Sequence, residues 1–262
     1  MKLGYSPVSA AILDLDAAWR LAAELELDFV ELSFDLFEAV PMLQPADQVR
    51  ELTRTTGIGS TLHLSYVDLN LASVNPAARR TSVDRTLRGL EYAEAVGSSC
   101  GVLHTGLNYI PFQQAVQLAN AALEQSLTEL QGPAVPVALE NLVLTPHDLV
   151  RDAAQLADLT ARHGFANCLD VGHANIEAVA KGTETIPGYI AGMGERLIHL
   201  HLHNNYGVDD DHLPTDEGTL DFKEILPLLS GFSGTACLEI TTGADGVRQA
   251  VAHLRSLGLE EA

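Results

Sequence analysis

Histidine, aspartate and glutamate recur at the ends of apolar runs along this 262-residue sequence. His63 follows Ser60-Thr61-Leu62, and His104 follows Gly101-Val102-Leu103. Glu140 closes Val137-Ala138-Leu139, and Asp170 closes Cys168-Leu169 with His173 three residues on. His201 stands in Leu197–Leu202, Asp210 and His212 follow in an acidic loop, and Glu239 follows Cys237-Leu238. A carboxylate that finishes an apolar strand is buried, and an unpaired buried carboxylate is costly. Divalent cations neutralise several such groups at once. Imidazole together with carboxylate suits zinc, manganese or iron, whereas calcium prefers oxygen ligands alone.

The elements that position these residues follow from pattern. Short apolar runs read as strands at Lys2–Tyr5, Phe29–Ser33, Ser60–Leu64, Gly101–His104, Val135–Glu140, Asn167–Asp170, Leu197–Leu202 and Thr235–Ile240. They are spaced by roughly 30 to 40 residues, the size of a strand–helix unit. Between them lie stretches with apolar residues at three- and four-residue steps, such as Asp16–Leu27, Pro76–Val96, Pro111–Leu130 and Pro146–His163. Thr145 before Pro146 and Thr219 before Leu220-Asp221 read as helix caps. Strands alternating with helices imply a parallel sheet, and eight repeats imply closure. The expected fold is therefore α/β, a single (β/α)8 TIM barrel occupying residues 1–262 as one domain. In that fold the active site lies at the C-terminal ends of the strands, where the residues named above fall.

Composition narrows the function. Fifteen Lys and Arg face 35 Asp and Glu, a net charge of −20. Duplex DNA rewards each phosphate neutralised by a basic side chain. The stretches Ser6–Asp14, Phe34–Gln48 and Asn204–Asp221 contain no Lys or Arg, and only Arg79-Arg80 forms a small cluster, on a helix. Duplex DNA is thus an unlikely partner. Three cysteines, Cys100, Cys168 and Cys237, sit in apolar surroundings and read as buried small hydrophobes. No long uncharged apolar run suggests a membrane span, and the N-terminus lacks a signal-peptide pattern, so the expected location is cytoplasmic.

With these residues in place, the chain resembles the xylose isomerase-like TIM barrels, which include sugar epimerases and the endonuclease IV type of apurinic endonuclease (AP endonuclease family 2). The resemblance rests on His63-Leu64-Ser65-Tyr66 with Asn70-Leu71-Ala72-Ser73, His104-Thr105-Gly106, Leu139-Glu140-Asn141, Asp170-Val171-Gly172-His173, His201-Leu202-His203-Asn204, Asp210-Asp211-His212 and Leu238-Glu239. For an endonuclease-like member it implies three zinc ions: one held by His63, His104 and Glu140, a second by Glu140, Asp170, His201 and Glu239, and a third by His173, Asp210 and His212. For an epimerase-like member it implies one manganese or similar ion on Glu140, Asp170, His201 and Glu239, with His173 touching substrate. Two departures stand out. Asn204 occupies the position of the family's acidic residue, and Asn205-Tyr206-Gly207 replaces an arginine common among the epimerases.

Two chemistries follow from one site. In the first, Glu140 and Glu239 are the catalytic pair of a metal-dependent isomerase or epimerase acting on a small sugar, sugar phosphate or polyol. In the second, clustered zinc ions serve phosphoester hydrolysis. The acidic charge favours the small-molecule substrate. One to three divalent ions, zinc or manganese, are expected either way, and a homo-oligomer is left open. Glu31, Asn141 and Asn175 read as further residues that could touch a polyol, Glu31 alternatively as half of a salt bridge at the barrel mouth. His199 and His203 alternate with His201 on one strand face and read as supporting residues.

Overall fold

The computed structural model describes residues 1–110, 112–132, 134–142, 145, 147–183 and 185–259. Eight parallel strands pair in sequence order and close on themselves: β1 (Lys2–Tyr5), β2 (Phe29–Ser33), β3 (Gly59–His63), β4 (Gly101–His104), β5 (Val137–Glu140), β6 (Ala166–Asp170), β7 (Leu197–Leu202) and β8 (Thr235–Leu238). β8 pairs back to β1. Among the described residues ten α-helices wrap the barrel: α1 (Leu15–Glu24), α2 (Phe34–Ala39), α3 (Ala46–Thr56), α4 (Pro76–Val96), α5 (Gln113–Glu129), α6 (Ala153–His163), α7 (Val171–Lys181), α8 (Ile186–Met193), α9 (Phe222–Leu228) and α10 (Gly243–Ser256).

The period-2 alternation of each strand sorts its residues between two environments. Leu62, Leu103, Leu139, Leu169, Leu200 and Leu238 belong to the large core between sheet and helices. Their neighbours Val102, Ala138 and Cys168 form a separate small cluster, with Ala166 and Ile198 against it. That cluster lies on the opposite face of the strands, toward the lumen. One step further along the same strands and the same face come His104, Glu140 and Asp170, so the alternation that packs the lumen also delivers the polar residues to its upper end.

Several boundaries differ from the sequence reading, each for a local reason. The helix expected at Pro146–His163 begins at Ala153. Its cap is Asp152, whose side chain accepts from Gln155 N, while Thr145 lies in a turn closed by Asp148. Pro146 and Pro111, which the sequence places in first helical turns, lie outside the described residues. Asp221, not Thr219, caps α9 by accepting from Lys223 N, and the Thr219 hydroxyl donates to the Asn205 carbonyl instead. Strand β8 ends at Leu238, which leaves Glu239 just beyond it, still hydrogen-bonded through its N–H to Leu202 O. Arg79 lies on α4, buried and paired with Glu129 at 3.1 Å, so it does not contribute a basic patch. Among the described residues no helix is long and apolar enough to cross a membrane.

Candidate metal centre

All nine residues singled out from the sequence converge at the C-terminal end of the barrel, in three overlapping sets. His63 and His104 turn Nε2 toward Glu140 Oε2, at 3.6 and 3.2 Å. His201 Nδ1 lies 3.0 Å from Glu140 Oε1, 3.6 Å from Asp170 Oδ2 and 3.5 Å from Glu239 Oε2. Asp210 Oδ2 sits between His173 Nε2 at 3.2 Å and His212 Nε2 at 3.0 Å. Glu140 joins the first two sets, because its two oxygens face different histidines.

Each side chain is held by a nameable local device. Asp170 is the N-cap of α7, accepting from His173 N at 2.7 Å, so the strand end and the helix start are one residue. Asn141 clamps the same junction: its Nδ2 donates to Asp170 O and its Oδ1 accepts from Asp170 N. Asn141 is thus committed to the backbone and not available to a polyol. The Asn175 amide nitrogen is also engaged, donating to Asn205 Oδ1 and Thr219 Oγ1. Asn204 explains its own departure from the family pattern. Its Nδ2 donates to Thr215 O and Leu220 O, and its Oδ1 accepts from Asn205 N and Leu220 N. A carboxylate could not donate to those two carbonyls. With its backbone paired to Leu213, Asn204 folds the acidic loop back over the barrel and returns Asp210 and His212 to the site. His212 sits at φ 50°, a left-handed conformation that costs roughly 1–2 kcal/mol for a residue with a Cβ.

Burial would raise the carboxyls and lower the imidazoles, yet their mutual attraction prevails for most of them. Against burial, His201 and His104 hold the Glu140 carboxyl well below its ordinary value. His173 and His203 do the same for Asp170, and His173 and His212 for Asp210. His212 is pushed up to about 9 against its burial, chiefly by Asp210. His104 is the exception: burial wins and lowers it, so this ring is neutral at neutral pH.

The donor set fits a divalent cation. Glu140 Oε2 is buried and makes no hydrogen bond. It faces His63, whose Nδ1 contacts the Leu64 carbonyl at 2.9 Å. A carbonyl only accepts, so Nδ1 carries a proton and the lone pair of a neutral ring points from Nε2 at the carboxylate. Two lone pairs face each other there unless a proton or a cation lies between.

Three residues outside the expected nine complete the picture. Glu31, 1 % exposed, reaches across the lumen to His199 and His201. Of its two sequence readings, polyol contact and salt bridge, the structure shows ion-pair contacts, made with these two histidines. His203 lies 3.0 and 3.1 Å from the two Asp170 oxygens and stacks on the His212 ring at 4.0 Å. Gly172 makes room for it, because a Cβ there would stand 2.0 Å from His203 Cε1. The period-2 run His199-His201-His203 was the sequence signal for both histidines. Tyr66, the third, stacks on His104 at 4.6 Å and had no signal beyond its motif. The cysteines are free and buried, and burial pushes the Cys168 and Cys237 thiols well up.

Seven of the nine, all but the fully buried Asp170 and His201, line a cavity of about 320 Å³ whose wall also includes Ser6, Ser9, Ser33, Tyr66 and Thr241. Among the described residues no Lys or Arg lines it.

Comparison with known proteins agrees with this architecture. The model of the xylose isomerase-like TIM barrel family matches residues 19–257. An uncharacterized protein of Methanocaldococcus jannaschii is 26% identical, over 95% of this chain and 86% of its own. Fructoselysine 3-epimerase of Shigella flexneri is 22% identical, over 92% of this chain and 91% of its own. A crystal structure of a D-tagatose 3-epimerase-like protein superposes with a TM-score of 0.82 at 22% identity, covering 98% of this chain and 97% of that one.

Proposed function

The chain belongs to the xylose isomerase-like TIM barrel family, and on that footing we propose that it is a divalent-metal-dependent isomerase or epimerase of a small, unphosphorylated sugar or polyol. The observation that carries the reading is the pairing of Glu140 and Glu239. They come from β5 and the end of β8, which are not neighbours in the barrel, yet both reach His201 Nδ1, at 3.0 and 3.5 Å. Two carboxylates converging on one ion can present basic oxygens to the two faces of a substrate bound between them.

When bound, a divalent ion in this site polarises a carbonyl and the hydroxyl beside it, which acidifies the intervening C–H. One of the two glutamates takes that proton, and the other returns a proton to the opposite face of the same carbon. His173 lines the cavity beside them and, through its Nδ1 contact with the Asn141 carbonyl at 2.8 Å, keeps Nε2 turned toward Asp210. Ser6, Ser9, Ser33 and Thr241 supply hydroxyls that can pair with those of a sugar. A phosphate remote from the ion would need a cationic grip, and the wall provides none. The relatedness to fructoselysine 3-epimerase supports the same chemistry.

A second reading, a multi-zinc phosphoester hydrolase, draws on one feature: the sets His63–His104–Glu140 and His173–Asp210–His212 are both assembled, more than an epimerase needs. One comparison separates the two. Protein loaded with Mn2+ or Zn2+ is assayed against a panel of ketoses, their 6-phosphates and an abasic-site duplex. Epimer exchange on a free ketose, with deuterium taken from solvent at one carbon, is the expected result. Strand cleavage beside the abasic site without any exchange overturns it.

A further inference from the structure

Three histidines of the centre share one arrangement. The Nδ1 atoms of His63, His173 and His212 contact the main-chain carbonyls of Leu64, Asn141 and Glu239, at 2.9, 2.8 and 3.0 Å. Because a carbonyl can only accept, each ring carries its proton on Nδ1 and turns Nε2 toward a carboxylate. His201 is reversed. Its Nδ1 faces Glu140, Asp170 and Glu239, and its Nε2 faces Glu31 Oε1 at 3.1 Å. The ring stands inside the lumen in the middle of the sheet, where backbone carbonyls are taken up by the strand ladder. Glu31 stands where the other rings have a carbonyl.

We propose that Glu31 is a positioning residue for the metal centre: it fixes the proton of His201 on Nε2 and so aims Nδ1 at the ion shared with Glu140, Asp170 and Glu239. The inference rests on the metal-centre reading above. Glu31 is equipped for this. Its second oxygen, Oε2, accepts from Thr61 Oγ1 at 2.7 Å and lies 3.0 Å from His199 Nε2. Those two contacts, from β3 and from lower on β7, hold the carboxylate from below and leave Oε1 for His201. Among the described residues, Glu31 Oε1 and His201 Nε2 have no hydrogen-bond partner elsewhere; they face each other at 3.1 Å, a contact that falls short of a hydrogen bond. A carboxylate behind a ligating imidazole sets its tautomer and orientation and makes the ring a better donor. Glu31 is also buried without Lys or Arg, which suits an anion kept for imidazoles.

Two measurements test this. Imidazole 15N NMR of the Zn2+-loaded wild-type protein reports which nitrogen of His201 carries the proton. The expected state is Nε2–H with Nδ1 bound, opposite to His63, His173 and His212. In parallel, Co2+ is titrated into metal-free wild type, Glu31→Gln and Thr61→Val in competition with a chelator, with thermal unfolding as a folding control. Glu31→Gln should weaken one site by about 10- to 100-fold and leave any others unchanged, and Thr61→Val should weaken the same site by only a few-fold. A His201 bound through Nε2, or a folded Glu31→Gln with Co2+ affinity within about twofold of wild type, overturns the proposal. Should Glu31→Gln fail to fold, the wild-type NMR still decides. Wild-type protein that takes up neither Co2+ nor Zn2+ overturns the metal centre itself, an outcome distinct from an intact centre indifferent to Glu31.

Discussion

The two ends of this barrel are built from the same eight strands and each opens into a cavity. The cavity at the C-terminal end holds about 320 Å³ and is walled by His63, His104, Glu140, His173, Asp210, His212 and Glu239. The one beside the N-terminal ends of β7 and β8 is larger, about 500 Å³, and is walled by Leu228, Phe232, Gly231 and Gly234 among others, with Glu195 the only charged residue in its wall among the described residues. Volume therefore does not mark the place of chemistry. What differs is what the strands deliver to each end. At the upper end, lumen-facing positions are titratable and loops such as Asn204–Gly218 add more. At the lower end, small residues let strands and turns approach closely. Gly234 is the clearest case, since a Cβ there would stand 2.2 Å from the Ile198 carbonyl. One end gathers the groups that could do chemistry and the other closes the barrel, a division that this fold leads one to expect.

Substitutions at the upper end should break this division most visibly. Glu140→Gln keeps the side-chain shape but removes a charge that two sets of donors share. Catalytic turnover of the proposed epimerase should fall by about 10²- to 10⁴-fold, the range for loss of a positioned acid or base, and metal content should fall with it. Glu239→Gln should lose comparable turnover with a smaller loss of metal, because Glu239 faces two histidines, His201 and His212, whereas Glu140 faces four. Steady-state rates and elemental analysis of both variants check the pair. Turnover within a few-fold of wild type in Glu140→Gln would remove the basis for placing chemistry at this end.

How much of this division the sequence carries follows from where the signal lies. The strand-end residues were legible because a charged residue closing an apolar run has few places to go but the barrel mouth. Their grouping into three sets came through the resemblance, since spacing along the chain says nothing about which strands face each other. The partners of Glu31 were not legible for the same reason: β2 and β7 meet only across the lumen, some 170 residues apart in sequence. Asn204 read as a weakened acidic position because its role lies in four hydrogen bonds to its own loop. The start of α6 was misplaced because Thr145-Pro146 carries the local features of a helix start, whereas Asp152 had the cap that the chain uses.

A smaller effect should separate the metal-free from the loaded protein by pH. His199 and His212 both rise from 6.5 to about 9 in the metal-free site, against burial, with Glu31 and Asp210 among the causes. A group raised on folding contributes stability that is fully present below the unfolded value near 6.5 and is lost as pH climbs through 9. The metal-free protein should therefore unfold at a lower temperature at pH 9 than at pH 6.5, each kcal/mol lost costing roughly 2–4 °C for a chain of this size. A bound divalent ion competes with the same protons for His212, so its own stabilisation should increase over that interval. Calorimetry at both pH values, with and without Mn2+, reads the two slopes. A metal-free protein that gains stability between pH 6.5 and 9 would contradict the charge pairing described for the upper end.

The smallest effect is expected at the lower end, and it is the sharper half of the comparison. Leu228 closes α9 and lines the larger cavity, yet 42 % of it is exposed. Leu228→Lys changes both polarity and charge at that wall. An exposed position can shed its apolar contacts at little cost, and the new ammonium stays in water with its stem along the cavity wall. Substitutions of this kind usually stay within about 0.5 kcal/mol, which is roughly 1–2 °C in melting temperature here. The added cation also lowers a net charge of −20 by one unit, which eases self-repulsion slightly. Turnover, metal content and the melting temperature should all match wild type within those limits. The reason turnover is insulated is directional. Between Leu228 and the metal centre stand the buried side chains of Val102, Ala138 and Cys168 and then Glu31 with His199. A tenfold loss of turnover in a normally folded Leu228→Lys would mean that the lower cavity is coupled to the reaction, and the division between the two ends would have to be abandoned.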